Sequence, residues 1–222
     1  VVNILCVDWE YFIGATADQR AILFPDGGNA LDIEGQLLIW RGCYEQSFIN
    51  KELLGKVSIT DIGSVESEIT ALFNLVEKYK KPTTSITVHE YAVEIDNVFT
   101  HGGFPNDDEI NLFKIGFHHD CSTHVSVTEI NAGNWVRILL NENKIQQFSW
   151  VKREDSTNSD CDVINCVHNK IGELHEAPNK LADGIDYIFI CRSGMWAPPH
   201  LDNDFINTIG RLTDISRQQQ DK

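Results

Sequence analysis

The sequence predicts a three-layer α/β/α fold on a mainly parallel sheet, and two observations carry that expectation. Short β-branched apolar runs alternate with stretches of helical periodicity along the 222 residues, a rhythm that implies parallel strands joined by crossovers covering both faces. Three of the runs also end in acids and histidines, which such a sheet gathers along its carboxyl edge, where ligands bind.

The elements follow in order. Val2-Asn3-Ile4-Leu5-Cys6-Val7 reads as a buried strand that stops at Asp8-Trp9-Glu10. Residues 15–60 read as an irregular insertion, with a turn at Pro25-Asp26-Gly27-Gly28 and one short helical face of Trp40, Tyr44 and Phe48. From Ser64 to Lys80, Val65, Ile69, Leu72, Phe73 and Val76 fall at helical spacing; Ser64 is placed as N-cap, and Lys80-Lys81-Pro82 ends the helix. Ser85-Ile86-Thr87-Val88 is a strand leading to His89-Glu90, with helix from Tyr91 to Phe99. Leu112 to Phe117 is a strand ending in His118-His119-Asp120, followed by helix from Asn134 to Asn141 and strand Gln147–Val151. A loop-rich excursion over 152–183 precedes the strand Tyr187–Cys191, a turn through Gly194 and Pro198-Pro199, and a helix from about Leu201 to Ile215. The Gln218-Gln219-Gln220 tail is expected to fray. Together these make one domain, residues 1–222.

Composition sets the class. With 42% hydrophobic and 23% charged residues the chain has the mixture of a folded globular protein rather than a disordered one. Its 18 basic against 33 acidic residues, a formal charge of −15, repel phosphate backbones and anionic bilayers, so neither nucleic acid nor membrane is an expected partner. No apolar run is long enough to span a bilayer and no signal-peptide pattern opens the chain, so a cytoplasmic location is expected. The chain begins Val1-Val2 without Met, which leaves room for a preceding piece. The six cysteines are scattered with no CxxC, so reduced thiols are expected, with Cys6 and Cys191 in the core.

The strand ends carry the chemistry. Asp8 and Glu10, then His89 and Glu90, then His118, His119 and Asp120 close three successive strands, so residues more than a hundred positions apart are brought to one edge. Carboxylates mixed with imidazoles suit zinc, manganese or iron. An ion there would make hydroxide available at neutral pH, with His119 or Glu90 as base. The alternative is that these are solvated loop residues or helix caps; Asp120 before Cys121-Ser122-Thr123 is well placed to cap a helix.

Weaker patterns stand beside this one. Cys161-x4-Cys166-x-His168 with His175 has zinc-type ligands at a spacing unlike common fingers. Cys121 near His118, His119 and His124 has the makings of an activated thiol, against ordinary packing. Gly27-Gly28 and Gly102-Gly103 are turns rather than phosphate loops. Trp196 beside Pro198-Pro199 lines a pocket mouth or packs structurally.

Phe117-His118-His119-Asp120 resembles the Asp-Ala-His-x-Asp metal motif of the ureohydrolases (arginase, agmatinase) and of an uncharacterised branch with an arginase-like fold and Asp-Ala-His-His-Asp forms. Asp8-Trp9-Glu10-Tyr11-Phe12 is similar to that group's Asp-x-Asp-x-Phe strand end, and His89 to the single histidine preceding its motif. Ala132-Gly133-Asn134-Trp135 and Phe148-Ser149-Trp150-Val151-Lys152 resemble the Gly-Asn-Trp and Trp-Val-Lys elements of the uncharacterised branch. The resemblance touches short segments from Asp8 to Lys152, reaching to Cys191-Arg192-Ser193. It implies an arginase-like fold and a hydrolase of linear C–N bonds, amide or guanidine, with a small-molecule substrate. It further implies one divalent ion, manganese or zinc, held by Asp8, Glu10, His89, His118 and Asp120, with Asp8, His118 and Asp120 meeting near a common point. The bridging Asp of the motif falls on Gly116, which has no side chain to coordinate, and the Asp-x-Asp element precedes the histidines instead of following them. One ion rather than two is therefore expected. The alternative is a non-catalytic binding or assembly protein, with a partner unknown and a homo-oligomer left open, that retains the fold with a degenerate metal site.

Overall fold

In a computed structural model the described residues are 1–25, 32–54, 57–101, 109–123, 129–156, 161–176 and 181–217. The turns at Gly27-Gly28 and Gly102-Gly103, the residue His124, the side chain of His175 and the glutamine tail lie outside them.

Six strands form one parallel sheet: β1 (Val2–Asp8), β2 (Lys80–His89), β3 (Ile110–Ile115), β4 (Gln147–Val151), β5 (Cys166–His168) and β6 (Ile185–Cys191), in the order β2-β6-β1-β3-β4-β5. Among the described residues six α-helices accompany them: α1 (Ala17–Leu23), α2 (Ile33–Leu54), α3 (Glu66–Tyr79), α4 (Ile95–His101), α5 (Trp135–Asn141) and α6 (Asp202–Arg217). Period-two alternation sorts β1 between two cores. Leu5 and Val7 pack with α3 and α6 residues such as Leu72, Val76, Phe205 and Leu212 on one face. Ile4 and Cys6 pack with Ile95, Trp135, Val136 and Leu139 of α4 and α5 on the other. The result is the three-layer α/β/α architecture expected. No described helix is long and apolar enough to cross a membrane.

Local chemistry accounts for most element ends, and several differ from the sequence reading. α3 buries Ile69, Leu72, Phe73, Leu75 and Val76 on one stripe and stops before Pro82, which cannot continue a helix. Its N-cap is Val65, while Ser64 spends its hydroxyl on Asp204 of α6 at 2.7 Å. The segment 15–60 is not irregular: α1 starts from a Thr16/Gln19 capping box and α2 runs for 22 residues. Trp40 is buried on α2, but Phe48 points out, 59% exposed, so the expected face is shorter than drawn. Three-residue β5 interrupts the 152–183 excursion. Among the described residues no helix starts at Asp120, which takes a left-handed φ of 56°.

The strand order places a crevice. β1 connects leftward to β2, across β6, whereas β3 connects rightward to β4, so the chain reverses direction between the carboxyl ends of β1 and β3. In open parallel sheets ligands bind at such a reversal, beyond the carboxyl ends of the strands.

Candidate functional site at the β1/β3 switch point

Four of the residues singled out from the sequence stand at this crevice, and a fifth, unforeseen residue organises them. Lys114 lies on β3 opposite Cys6 and is fully buried. Its parity sends its side chain to the α4/α5 face, and its length carries the ammonium toward the strand end. There Nζ forms a salt bridge with Asp120 Oδ2, donates to the His118 carbonyl at 2.9 Å and lies 3.6 Å from Asp8 Oδ2. Trp135 Nε1 donates to the same Asp120 oxygen at 2.7 Å, and the Trp135 ring centroid is 5.7 Å from Nζ. Asp8 and Asp120 thus meet across an ammonium group, which reaches His118 only at its backbone carbonyl, while the imidazole turns to Glu10.

Glu10 and His118 form a second pair. β1 ends at Asp8, and a single 3-10 turn, Trp9–Phe12, follows, so Glu10 leaves the strand geometry and turns inward, 2% exposed. Its carboxylate accepts from His118 Nδ1 at 2.9 and 3.0 Å and from the His118 backbone N–H at 3.1 Å. The imidazole is half-exposed, with the Trp196 ring 6.3 Å away edge-on. Because a carboxylate only accepts, Nδ1 carries the proton, and Nε2 is the nitrogen left for a ligand.

The charges shift one another. Burial alone would raise the Glu10 carboxyl, but the charge and hydrogen bond of His118, with Lys114 and Arg20, outweigh it and hold Glu10 at about 2. Desolvation pulls His118 down and Glu10 pulls it up; Glu10 wins, so the imidazole holds its proton above its ordinary value. Asp8 goes the other way, pushed up to about 7 by burial and then by the neighbouring Glu10 charge, with Lys114 opposing. Lys114 is raised: Asp120 and Asp8 overcome the burial that would lower it.

Backbone strain brackets Asp8. Asp120, after β3, has φ 56°, and Ser193, after β6, has φ 52°, the left-handed region that side-chain-bearing residues seldom occupy. Ser193 is buried and hydrogen-bonds the Asp8 side chain. Strained residues of this kind, of order 1–3 kcal/mol each, persist where surrounding contacts over-determine them and cluster at functional sites.

The remaining sequence candidates sit elsewhere. His89 ends β2, two strand spacings from β1, or roughly 10 Å across the sheet. Its Nδ1 pairs with Glu94 at 2.8 Å and its ring stacks on Phe189 at 4.4 Å. Glu90 holds Arg192 at 3.0 Å; Arg192 also grips Asp202 through two nitrogens and contacts Gln36, tying β6 to α2 and α6. The point where these meet is tight enough that a Cβ on Gly194 would sit 2.1–2.2 Å from Gln36, Arg192 and Glu90 atoms. His119 is buried, its Nδ1 accepting from the Cys121 N–H at 3.0 Å and lying 3.2 Å from Cys121 Sγ. Cys121 is bonded to Cys161 as a disulfide, a correction to the expectation of six reduced thiols; Cys6, Cys43, Cys166 and Cys191 form no disulfide.

The residues at the crevice do not fit the implied ion. Lys114 already supplies the positive charge between Asp8 and Asp120, Glu10 is committed to His118, and His89 is out of reach. A Cβ on Gly116 would meet Lys114 Nζ at 2.8 Å, so a bridging carboxylate there would require Lys114 to move. Among the described residues, the side chains that gather closely enough to hold a metal ion are His119, Cys121 and Cys161, two of them joined in the disulfide. Two cavities, of about 220 and 190 Å³, lie at α1/α2 and α3/α6 and touch none of this chemistry. Compared with protein-family models, curated proteins and solved structures, the chain matches none.

Proposed function

We propose that the β1/β3 crevice is the site of a hydrolase of linear C–N bonds on an arginase-like fold, in which an internal ammonium takes the place of the metal ion. The observation that carries this reading is the Glu10–His118 pair: a fully buried carboxylate fixes the tautomer of a half-exposed imidazole at the mouth of the switch-point crevice. A carboxylate that orients a histidine and raises its proton affinity is the arrangement of general acid–base catalysis. His118 is the group that gives a proton to the departing nitrogen and takes one from the attacking water. Asp8, poised near 7, is the second group able to exchange a proton at neutral pH. Lys114 and Trp135 fix Asp120, which holds the turn that presents His118. The amide or guanidine class comes from the ureohydrolase resemblance, and a cytoplasmic location belongs to the same proposal.

A second reading is favoured by one observation: Asp120 and Asp8 are satisfied internally by Lys114, as in a degenerate metal site kept for binding. The two readings are separated by assaying ammonia or urea release from a panel of linear amides and guanidines, with and without chelator. Turnover that survives chelator and disappears in His118→Gln supports the hydrolase. Saturable binding without turnover supports the second reading, and activity that requires added metal overturns the role given to Lys114.

A further inference from the structure

We propose that His119, Cys121 and Cys161 form a redox-gated site for a soft divalent cation, zinc in chemical class, closed as a disulfide when oxidised and open to the ion when reduced. The site is separate from the crevice, and nothing in the reading of Glu10, His118 and Lys114 requires it.

The geometry carries the idea. The ligand atoms of these three side chains lie within 4.8 Å of one another. His119 Nδ1 accepts from a backbone N–H, so its lone pair is unprotonated, the form that binds metal, and it lies 3.2 Å from Cys121 Sγ. Two ligands of one tetrahedral zinc ion, at Zn–S of about 2.3 Å and Zn–N of about 2.0 Å, stand roughly 3.6 Å apart, so this separation is nearly that of a bound pair. The Cα atoms of Cys121 and Cys161 are 5.7 Å apart. That distance lets rotation of the two side chains part the sulfurs to the roughly 3.8 Å that one zinc ion demands. In the disulfide neither sulfur carries a proton, so the His119 contact is not a thiol hydrogen bond. The Nδ1 lone pair that accepts from the Cys121 N–H lies beside the sulfur, and coordination would take it from that N–H.

The chemistry balances simply. A dithiol reductant attacks the disulfide, is itself oxidised to a disulfide and leaves two protein thiols. Zinc then displaces the two thiol protons and binds two thiolates and the imidazole, with water in the fourth position. Two thiolates and one imidazole select zinc over calcium, magnesium or manganese. His119 sits between His118 and Asp120, so the exchange of staple for ion occurs on the turn that presents the crevice residues.

The test uses cobalt(II) as a spectroscopic probe on the full chain. Protein reduced with a phosphine and freed of it should take up one equivalent of cobalt with a thiolate charge-transfer band, which zinc then abolishes; the oxidised protein should show no band. Cys161→Ser, at a half-buried position that the fold tolerates better than buried Cys121, should lose the band, whereas Cys166→Ser should keep it. A band in the oxidised protein, a band that survives Cys161→Ser, a band lost in Cys166→Ser, or no uptake by reduced protein that retains its native circular dichroism would each overturn the proposal.

Discussion

Replacing Lys114 by Met removes one charge and little volume, and the consequence follows from what the ammonium touches. The side chain is fully buried and serves Asp120, the His118 carbonyl and Asp8 at once. Removing one partner of a buried ion pair costs about 3–5 kcal/mol, because the uncompensated charges stay behind. For a domain of this size 1 kcal/mol moves the melting temperature by about 2–4 °C, so Lys114→Met should melt roughly 6–20 °C below the wild type. The deficit also has a pH signature. Asp8 is already held up near 7, and without Lys114 to oppose that shift its folded pKa climbs further above the unfolded 3.8. A folded-state carboxyl raised in this way favours folding while protonated and loses that contribution as pH rises through the folded pKa. The variant should therefore lie closer to wild type at pH 5.5 than at pH 8. Calorimetry or urea unfolding followed by tryptophan fluorescence at both values decides it. A variant within about 0.5 kcal/mol of wild type, the range of a neutral surface substitution, would refute the assignment of Lys114 as the counter-ion of the site.

Three further outcomes are expected. In the wild type, Asp8 raised from 3.8 to about 7 and His118 raised above 6.5 act with the same sign: each contributes stability in its protonated form, so the urea midpoint should fall as pH rises from about 4 through 7 and continue to fall just above 6.5 as His118 titrates, and Asp8→Asn should flatten the part below about pH 7. Glu10→Gln removes the charge that raises His118, so the imidazole pKa read by NMR should drop toward 6.5 and the activity profile should move with it; an unchanged titration would sever the pair. Lys114→Ala frees Asp8 and Asp120 around an emptied volume, and calorimetric titration should detect manganese or zinc binding that Cys161→Ser does not abolish, where the wild type shows none at this position.

The sheet was easier to read than the site. β4 was legible to the residue and β1 to within one, because a short buried strand bounded by polar residues has few competing interpretations. α2 was not, since its apolar residues are spread around the helix, with Leu38 and Phe48 exposed, instead of forming one stripe. β5 is three residues long and carries no period. At the site, Asp8, Glu10, His118 and Asp120 were visible as polar residues closing apolar runs. His89 belonged to the same pattern but ends a strand two positions away, because β6 comes between β2 and β1, a fact of strand order that no local pattern encodes. Lys114 was missed altogether. Its signal was present in Leu112-Phe113-Lys114-Ile115, a lysine inside a continuously apolar strand. A lysine there must find buried carboxylates, and Asp8 and Asp120 were the acids in reach. The disulfide joins cysteines 40 residues apart, and spacing alone could not pair them.

The position of β6 has a consequence for how the molecule is made. It is the last of the described strands yet lies inside the sheet, pairing with β1 along one edge and with β2 along the other. Until residues 185–191 have left the ribosome, β1 to β5 can build only a four-stranded sheet β1-β3-β4-β5, with one edge of β1 unsatisfied and β2 without a neighbour. Open strand edges of this kind recruit other chains. A chain stopped short of Ile185 should therefore collect in the pelleted fraction, even though it contains five of the six described strands and the charged residues named at the crevice.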